Sequence, residues 1–112
     1  MYLQVIDDLK RKIINKEILE NGKFPSTREL AIEYGINPNT AARVYNEMEL
    51  MGICYSKKGL GTYLTNNEEM ITNLKKSVAS KHVKTFMKEM HLLGFTNQEI
   101  LYLIKGEGSE EK

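Results

Sequence analysis

Pro25-Ser26-Thr27-Arg28-Glu29-Leu30-Ala31-Ile32-Glu33-Tyr34-Gly35-Ile36-Asn37-Pro38-Asn39-Thr40 is the stretch on which the fold turns. Ser26 is placed to cap a helix, and Glu29, three residues on, completes a capping box. Leu30, Ala31 and Tyr34 supply an inward face. Gly35 stops the helix in a left-handed conformation that a side chain resists. Asn37 then caps a second helix, and Pro38 takes the first helical position, where its missing N–H costs nothing. This helix is expected to run to about Met51, with Ala41, Val44, Tyr45, Met48 and Met51 as its apolar stripe and Gly52 at its end. Two helices joined by a three-residue turn that starts with glycine have the spacing of a helix-turn-helix. Small Ala31 and Ala41 let the helices approach closely. Spacing alone leaves any compact helical pair open.

The segment after Gly52 narrows the choice. Ile53-Cys54-Tyr55-Ser56 and Thr62-Tyr63-Leu64-Thr65 are β-prone runs joined by Lys57-Lys58-Gly59-Leu60-Gly61. Glycine lets a hairpin tip approach DNA closely and lysine neutralises phosphate, so the pair reads as a wing. An ordinary solvated hairpin is the alternative. Cys54 reads as a small buried hydrophobe in the first run. Upstream, residues 2–18 carry Tyr2, Val5, Ile6, Leu9, Ile13 and Ile14 at helical spacing. That amphipathic helix is expected to close at Asn21-Gly22.

Downstream, Asn66 or Asn67 caps a long segment whose first turn holds Glu68 and Glu69. Met70, Leu74, Val78, Phe86 and Met90 recur at fours and eights, with Ile71, Val83, Met87 and Leu93 beside them, so one amphipathic helix of about 25 residues is expected. Gly94 ends it. Thr96 to Glu99 forms a second capping box ahead of a short apolar helix with Ile100, Leu101, Leu103 and Ile104. The expected fold is therefore mainly α with a small β-hairpin: a winged helix-turn-helix over residues 1–66, a two-helix tail over 67–105 and a frayed end over 106–112.

Composition bounds the function. The 112 residues are 41% hydrophobic and 28% charged, as in a soluble globular protein. The net charge is only +1. Residues 1–66 hold nine Lys/Arg against eight Asp/Glu, and the remainder holds seven of each. Binding to DNA would need the positive charge gathered on one face. No apolar run spans a membrane, Asp7 and Asp8 stand where an export signal needs bases, and one cysteine makes no internal disulfide. A cytoplasmic protein is expected. No acid pair, activated nucleophile or phosphate-cradling loop suggests an enzyme, and no cofactor is implied. His82 and His91 lie nine apart on one helix, which with Cys54 is not a chelating arrangement within one chain, so no metal site is assigned. A metal-sensing regulator and a winged-helix protein-interaction module stand as alternatives.

Phe24 to Ala31, Ile36 to Thr40, Arg43-Val44-Tyr45, Glu47-Met48-Glu49, Gly59 to Tyr63 and Gln4-Val5 together closely resemble the DNA-binding domain of GntR-type bacterial regulators. The short two-helix tail resembles the YtrA-like subgroup, and it leaves no room for the large effector domains of other branches. That resemblance implies a dimeric repressor, often tied to operons for ATP-driven transporters. Ala42 stands where many relatives have arginine, so base preferences do not carry over from those branches.

The candidate DNA-binding residues are Ser26, Thr27, Arg28, Asn37, Asn39, Thr40, Arg43, Lys57, Lys58, Gly59 and Gly61. Asn39, Thr40 and Arg43 share an outward face, and Arg43 either reads guanine O6 and N7 or holds a phosphate. Arg28 resembles the family's phosphate anchor. Leu74, Val78, Phe86, Met90, Leu93, Ile100, Leu101 and Ile104 are the candidate dimer contacts. A two-fold homodimer through the tail would favour a pseudo-palindromic double-stranded operator. The residues name no small-molecule effector.

Overall fold

A computed structural model of the protein describes residues 1–18 and 22–110. Five helices and one hairpin run in the order α1 (Tyr2–Ile14), α2 (Thr27–Tyr34), α3 (Pro38–Leu50), β1 (Cys54–Lys57), β2 (Gly61–Leu64), α4 (Glu68–Leu92) and α5 (Asn97–Glu110). The chain divides into two compact units, Met1–Lys75 and Lys76–Lys112. The division falls inside α4; Leu74, in the second turn of that helix, is buried and belongs to the first unit.

The caps form as their chemistry dictates. Ser26 Oγ accepts from the Glu29 N–H at 3.0 Å, and Glu29 Oε1 accepts from the Ser26 N–H at 2.8 Å. Gly35 closes α2 with φ 63° and ψ 37°. Asn37 Oδ1 accepts from the Asn39 N–H at 2.7 Å, with Pro38 in the first turn of α3. Asn67, not Asn66, caps α4, accepting from the N–H groups of Glu69 and Met70 at 3.0 and 3.2 Å. The Thr96–Glu99 box opens α5. Each bond satisfies an amide that has no partner within its helix.

The first unit buries Val5, Ile6, Leu9 and Ile13 of α1 against Leu30 and Ala31 of α2 and Ala41, Val44, Tyr45 and Met48 of α3. Phe24 meets Tyr45 edge-on at 5.8 Å. Ala41 is fully buried where α3 lies close to both neighbours, which accounts for a small side chain there. The hairpin is antiparallel, pairing Cys54 with Leu64, Tyr55 with Tyr63, Ser56 with Thr62 and Lys57 with Gly61. A third edge joins it: Lys23 bridges Tyr63, the Phe24 N–H donates to Thr62 O at 2.9 Å, and the Leu64 N–H donates to Gly22 O at 2.6 Å.

Three boundaries differ from the sequence reading. The first helix ends at Ile14, not at residue 18, because Lys16 turns left-handed at φ 63°. Asn21, where a closing turn was expected, lies outside the described residues. Met51 is 41% exposed, not part of the α3 stripe, since it already caps the helix. At the other end α5 continues to Glu110 where fraying from Gly106 was expected. Gly106 keeps a helical backbone; glycine weakens a helix but stops it only when it turns left-handed.

Candidate nucleic-acid interface

The helix-turn-helix presents its polar residues unevenly. Arg28, Asn39 and Arg43 are exposed, whereas Thr27 and Thr40 are half-buried at the margins. Ser26 and Asn37 are exposed, but their side-chain oxygens are occupied by the caps. What remains to Asn37 is its amide N–H groups. The Glu29 carboxyl beside Arg28 is held below its ordinary value of 4.5 by the Ser26 backbone N–H and hydroxyl, so it stays charged.

Two residues of this surface escaped the sequence reading. Asn46 is exposed, three residues after Arg43 and seven after Asn39, on the outer face of α3. That spacing was available as a signal. Tyr2 was placed in the α1 stripe but is only half-buried. The Arg43 guanidinium carbon lies 3.9 Å from the centre of its ring, and Arg43 Nη2 donates to its hydroxyl at 3.0 Å. No local pattern reports a contact 41 residues apart.

Lys57, Lys58, Gly59, Leu60 and Gly61 are all exposed on the wing. Tyr55 and Tyr63 stack with centres 6.1 Å apart, and Lys57 Nζ sits 4.5 Å from the Tyr63 ring. Lys57 is thus held along the hairpin, and Lys58 begins the turn. Leu60, at the tip, is 59% exposed. Gly61 has φ 117°, a backbone conformation that favours glycine; a Cβ there would stand 3.2 Å from Lys23 Cε, which a flexible lysine side chain could relieve by a small shift. Lys23 therefore lies beside the wing, placed by an edge bridge that the sequence did not announce. Further along β1, the Ser56 N–H donates to Glu49 Oε2 at 3.3 Å, tying α3 to β1.

Behind this face α1 and α2 are clamped together. The Tyr34 hydroxyl donates to Asp8, Arg11 Nη2 donates to Asp8 Oδ1 at 2.7 Å, and Lys12 Nζ lies 3.2 Å from Glu33 Oε2. Tyr45, deep under α2, donates its hydroxyl to Pro25 O at 2.5 Å, which fixes the start of the motif. Burial pushes the Cys54 thiol up to about 12, so it is an inert core side chain, as its position in a β-prone run suggested.

The C-terminal candidates separate by burial. Leu74 and Ile100 are 7% and 0% exposed and so are already covered within one chain. Val78 and Met90 are half-buried. Phe86, Leu93, Leu101 and Ile104 are exposed, Leu93 at 72% and Leu101 at 61%. His91 Nε2 pairs with Asn97 Oδ1 at 2.7 Å, and among the described residues no three His, Cys, Asp or Glu side chains gather as a metal site. No helix among them is long and apolar enough to cross a membrane.

A capped helix pair with a left-handed glycine turn, an exposed polar face on the second helix and a glycine–lysine hairpin define a winged helix-turn-helix, a DNA-binding architecture. Comparison with known proteins agrees. A family profile, "Bacterial regulatory proteins, gntR family", matches residues 1–64. The HTH-type transcriptional regulator YhcF of Bacillus subtilis is 39% identical over 105 residues, covering 94% of this chain and 87% of that protein. The HTH-type transcriptional repressor YtrA of the same organism is 28% identical over 113 residues, covering all of this chain and 87% of that protein. The solved structure of a GntR family transcriptional regulator from Listeria monocytogenes superposes with a TM-score of 0.82 at 33% identity, over 94% of this chain and 92% of that one. The chain belongs to the GntR family and is a DNA-binding transcriptional regulator, not an enzyme.

Proposed function

We propose that the protein is a cytoplasmic dimeric repressor that reads a pseudo-palindromic operator. In this reading residues 1–66 contact DNA and residues 67–105 pair two copies. The N-terminal part of α3 enters the major groove, with Asn39 and Arg43 facing base edges and Thr40 at the margin. Arg43 reads guanine through two N–H donors, a contact worth roughly 1–3 kcal/mol of discrimination. Ser26, Thr27, Arg28 and Asn37 hold phosphates around the start of α2 and the turn. Lys57, Lys58, Gly59 and Gly61 bring the wing to the backbone or minor groove. The repressor role follows the name of the full-length relative YtrA.

The observation that carries the reading is the exposed, polar outer face of α3 beside a Lys-Gly wing on one compact unit. It is tested by selecting bound sites from a random duplex library and comparing two variants. Arg43→Ala should weaken the selected site at least tenfold more than random DNA, using about 1.4 kcal/mol per tenfold. Lys58→Ala should weaken both alike and flatten the salt dependence by about one unit of slope. An Arg43→Ala protein with unchanged operator affinity and unchanged site preference would rule out α3 as the reading helix. The selected half-sites and their spacing report the dimer geometry in the same experiment.

A further inference from the structure

We propose that Tyr2 is a positioning residue for DNA reading, its ring and hydroxyl holding the Arg43 guanidinium poised on the outer face of α3. The proposal rests on the assignment of α3 as the reading helix. Arg43 is an exposed, flexible side chain, yet its guanidinium carbon lies 3.9 Å from the Tyr2 ring centre and its Nη2 reaches the Tyr2 hydroxyl at 3.0 Å. A cation over an aromatic face is attracted by the ring quadrupole, and arginine adds planar stacking. Glu47 follows Arg43 by one turn of the same helix, a spacing that invites an ion pair. Among the described residues no such ion pair forms. The guanidinium is held by a neutral ring and not by a carboxylate that would have to be displaced at the DNA.

The geometry leaves the arginine competent. A guanidinium has five N–H donors, and the Tyr2 hydroxyl takes one. Four remain for the paired acceptors O6 and N7 of a guanine. Side-chain freedom that would otherwise be lost on binding is already restricted in the free protein, which favours the complex. Tyr2 itself is anchored because the next turn of α1 places Val5 and Ile6 in the core. A residue of the first helix thereby acts on base reading through a residue of the third.

The test is a double-mutant cycle on the full chain, measuring affinity for the selected site relative to random duplex at one salt concentration. Tyr2→Leu keeps an apolar side chain but removes ring and hydroxyl, and should lower that ratio about two- to fivefold. Its salt slope should not change, because no cation is lost. Tyr2→Phe keeps the ring and should stay within about twofold of the parent. In an Arg43→Ala background, Tyr2→Leu should have no further effect on the ratio. An unchanged ratio for Tyr2→Leu, or the same loss with and without Arg43, would overturn the proposal, since a purely structural tyrosine acts independently of Arg43. A loss for Tyr2→Phe equal to that for Tyr2→Leu would overturn the stacking role. Failure of the underlying assignment looks different: Arg43→Ala alone would then leave both operator affinity and site preference intact.

Discussion

Asp8 shows how single side chains hold the DNA-facing helices in place. Its carboxylate accepts from the Tyr34 hydroxyl and from Arg11, with Lys12 Nζ at 3.7 Å, and the Tyr34 hydrogen bond is foremost in holding it below its ordinary value of 3.8. A carboxyl depressed in the folded state adds stability above its unfolded pKa and loses it as pH falls through the folded one. Asp8→Asn should therefore cost about 1 kcal/mol at neutral pH and make the decline in stability below pH 4 shallower, as read by urea midpoints at several pH values. The decline will not vanish, because Glu29 titrates in the same direction. An unaltered pH profile would mean that the Asp8 clamp adds nothing. Lys12, raised by its Tyr34 and Glu33 partners, has the opposite sign: its contribution is complete at neutral pH and is lost only on the alkaline side. At this scale the sequence located polar candidates well but could not say which were occupied. Ser26 and Asn37 were recognised both as caps and as DNA contacts, and the caps take their oxygens. Asn46 is legible from its register with Asn39 and Arg43, whereas Tyr2 depends on a tertiary contact that no window of sequence contains.

The helix ends share one device. After α2, the Ile36 N–H reaches back to Ala31 O at 2.9 Å and the Gly35 N–H to Ile32 O at 3.3 Å, the paired bonds of a Schellman motif. The same pair closes α3 at Gly52 and α4 at Gly94. It also closes α1, where the Glu17 N–H reaches Lys12 O at 2.8 Å and the Lys16 N–H reaches Ile13 O at 3.1 Å. Three of these ends were legible because glycine marks them. The fourth was not, because a lysine occupies the left-handed position at φ 63°. A side chain there costs about 1 kcal/mol, so Lys16→Gly should stabilise the protein by up to that amount. Gly35→Ala, with nothing near its Cβ but φ 63°, should destabilise it by a similar amount, while Gly35→Asn should lose less. Thermal midpoints moving by a few degrees in these opposite directions would bear this out; equal shifts of one sign would not. The wing was legible as two strands, but its third edge at Lys23 was not, since one bridging residue leaves no alternation to read.

At the scale of the molecule, the second unit poses the remaining question. Within Lys76–Lys112, Ile100 is fully buried, whereas Val83, Leu92, Leu93, Leu101 and Tyr102 are each more than half exposed. So short a segment cannot bury its apolar surface alone, and a second copy, related by two-fold symmetry, is the proposed cover. Periodicity identified this helical stripe but could not divide it, because the same spacing serves residues covered within the chain, such as Leu74 and Ile100, and residues left open, such as Leu93 and Leu101. The two groups make opposite predictions. Leu93→Glu combined with Leu101→Glu alters exposed positions, so the chain should stay folded by circular dichroism but sediment as a monomer. Its operator affinity should fall much further than its affinity for random DNA, because two linked half-site contacts become independent ones. Ile100→Ala should instead destabilise each chain, by about 2–5 kcal/mol at a fully buried site. A charged double variant that still sediments as a dimer would move the interface elsewhere. If it became monomeric yet bound the operator as before, pairing would have no part in reading DNA.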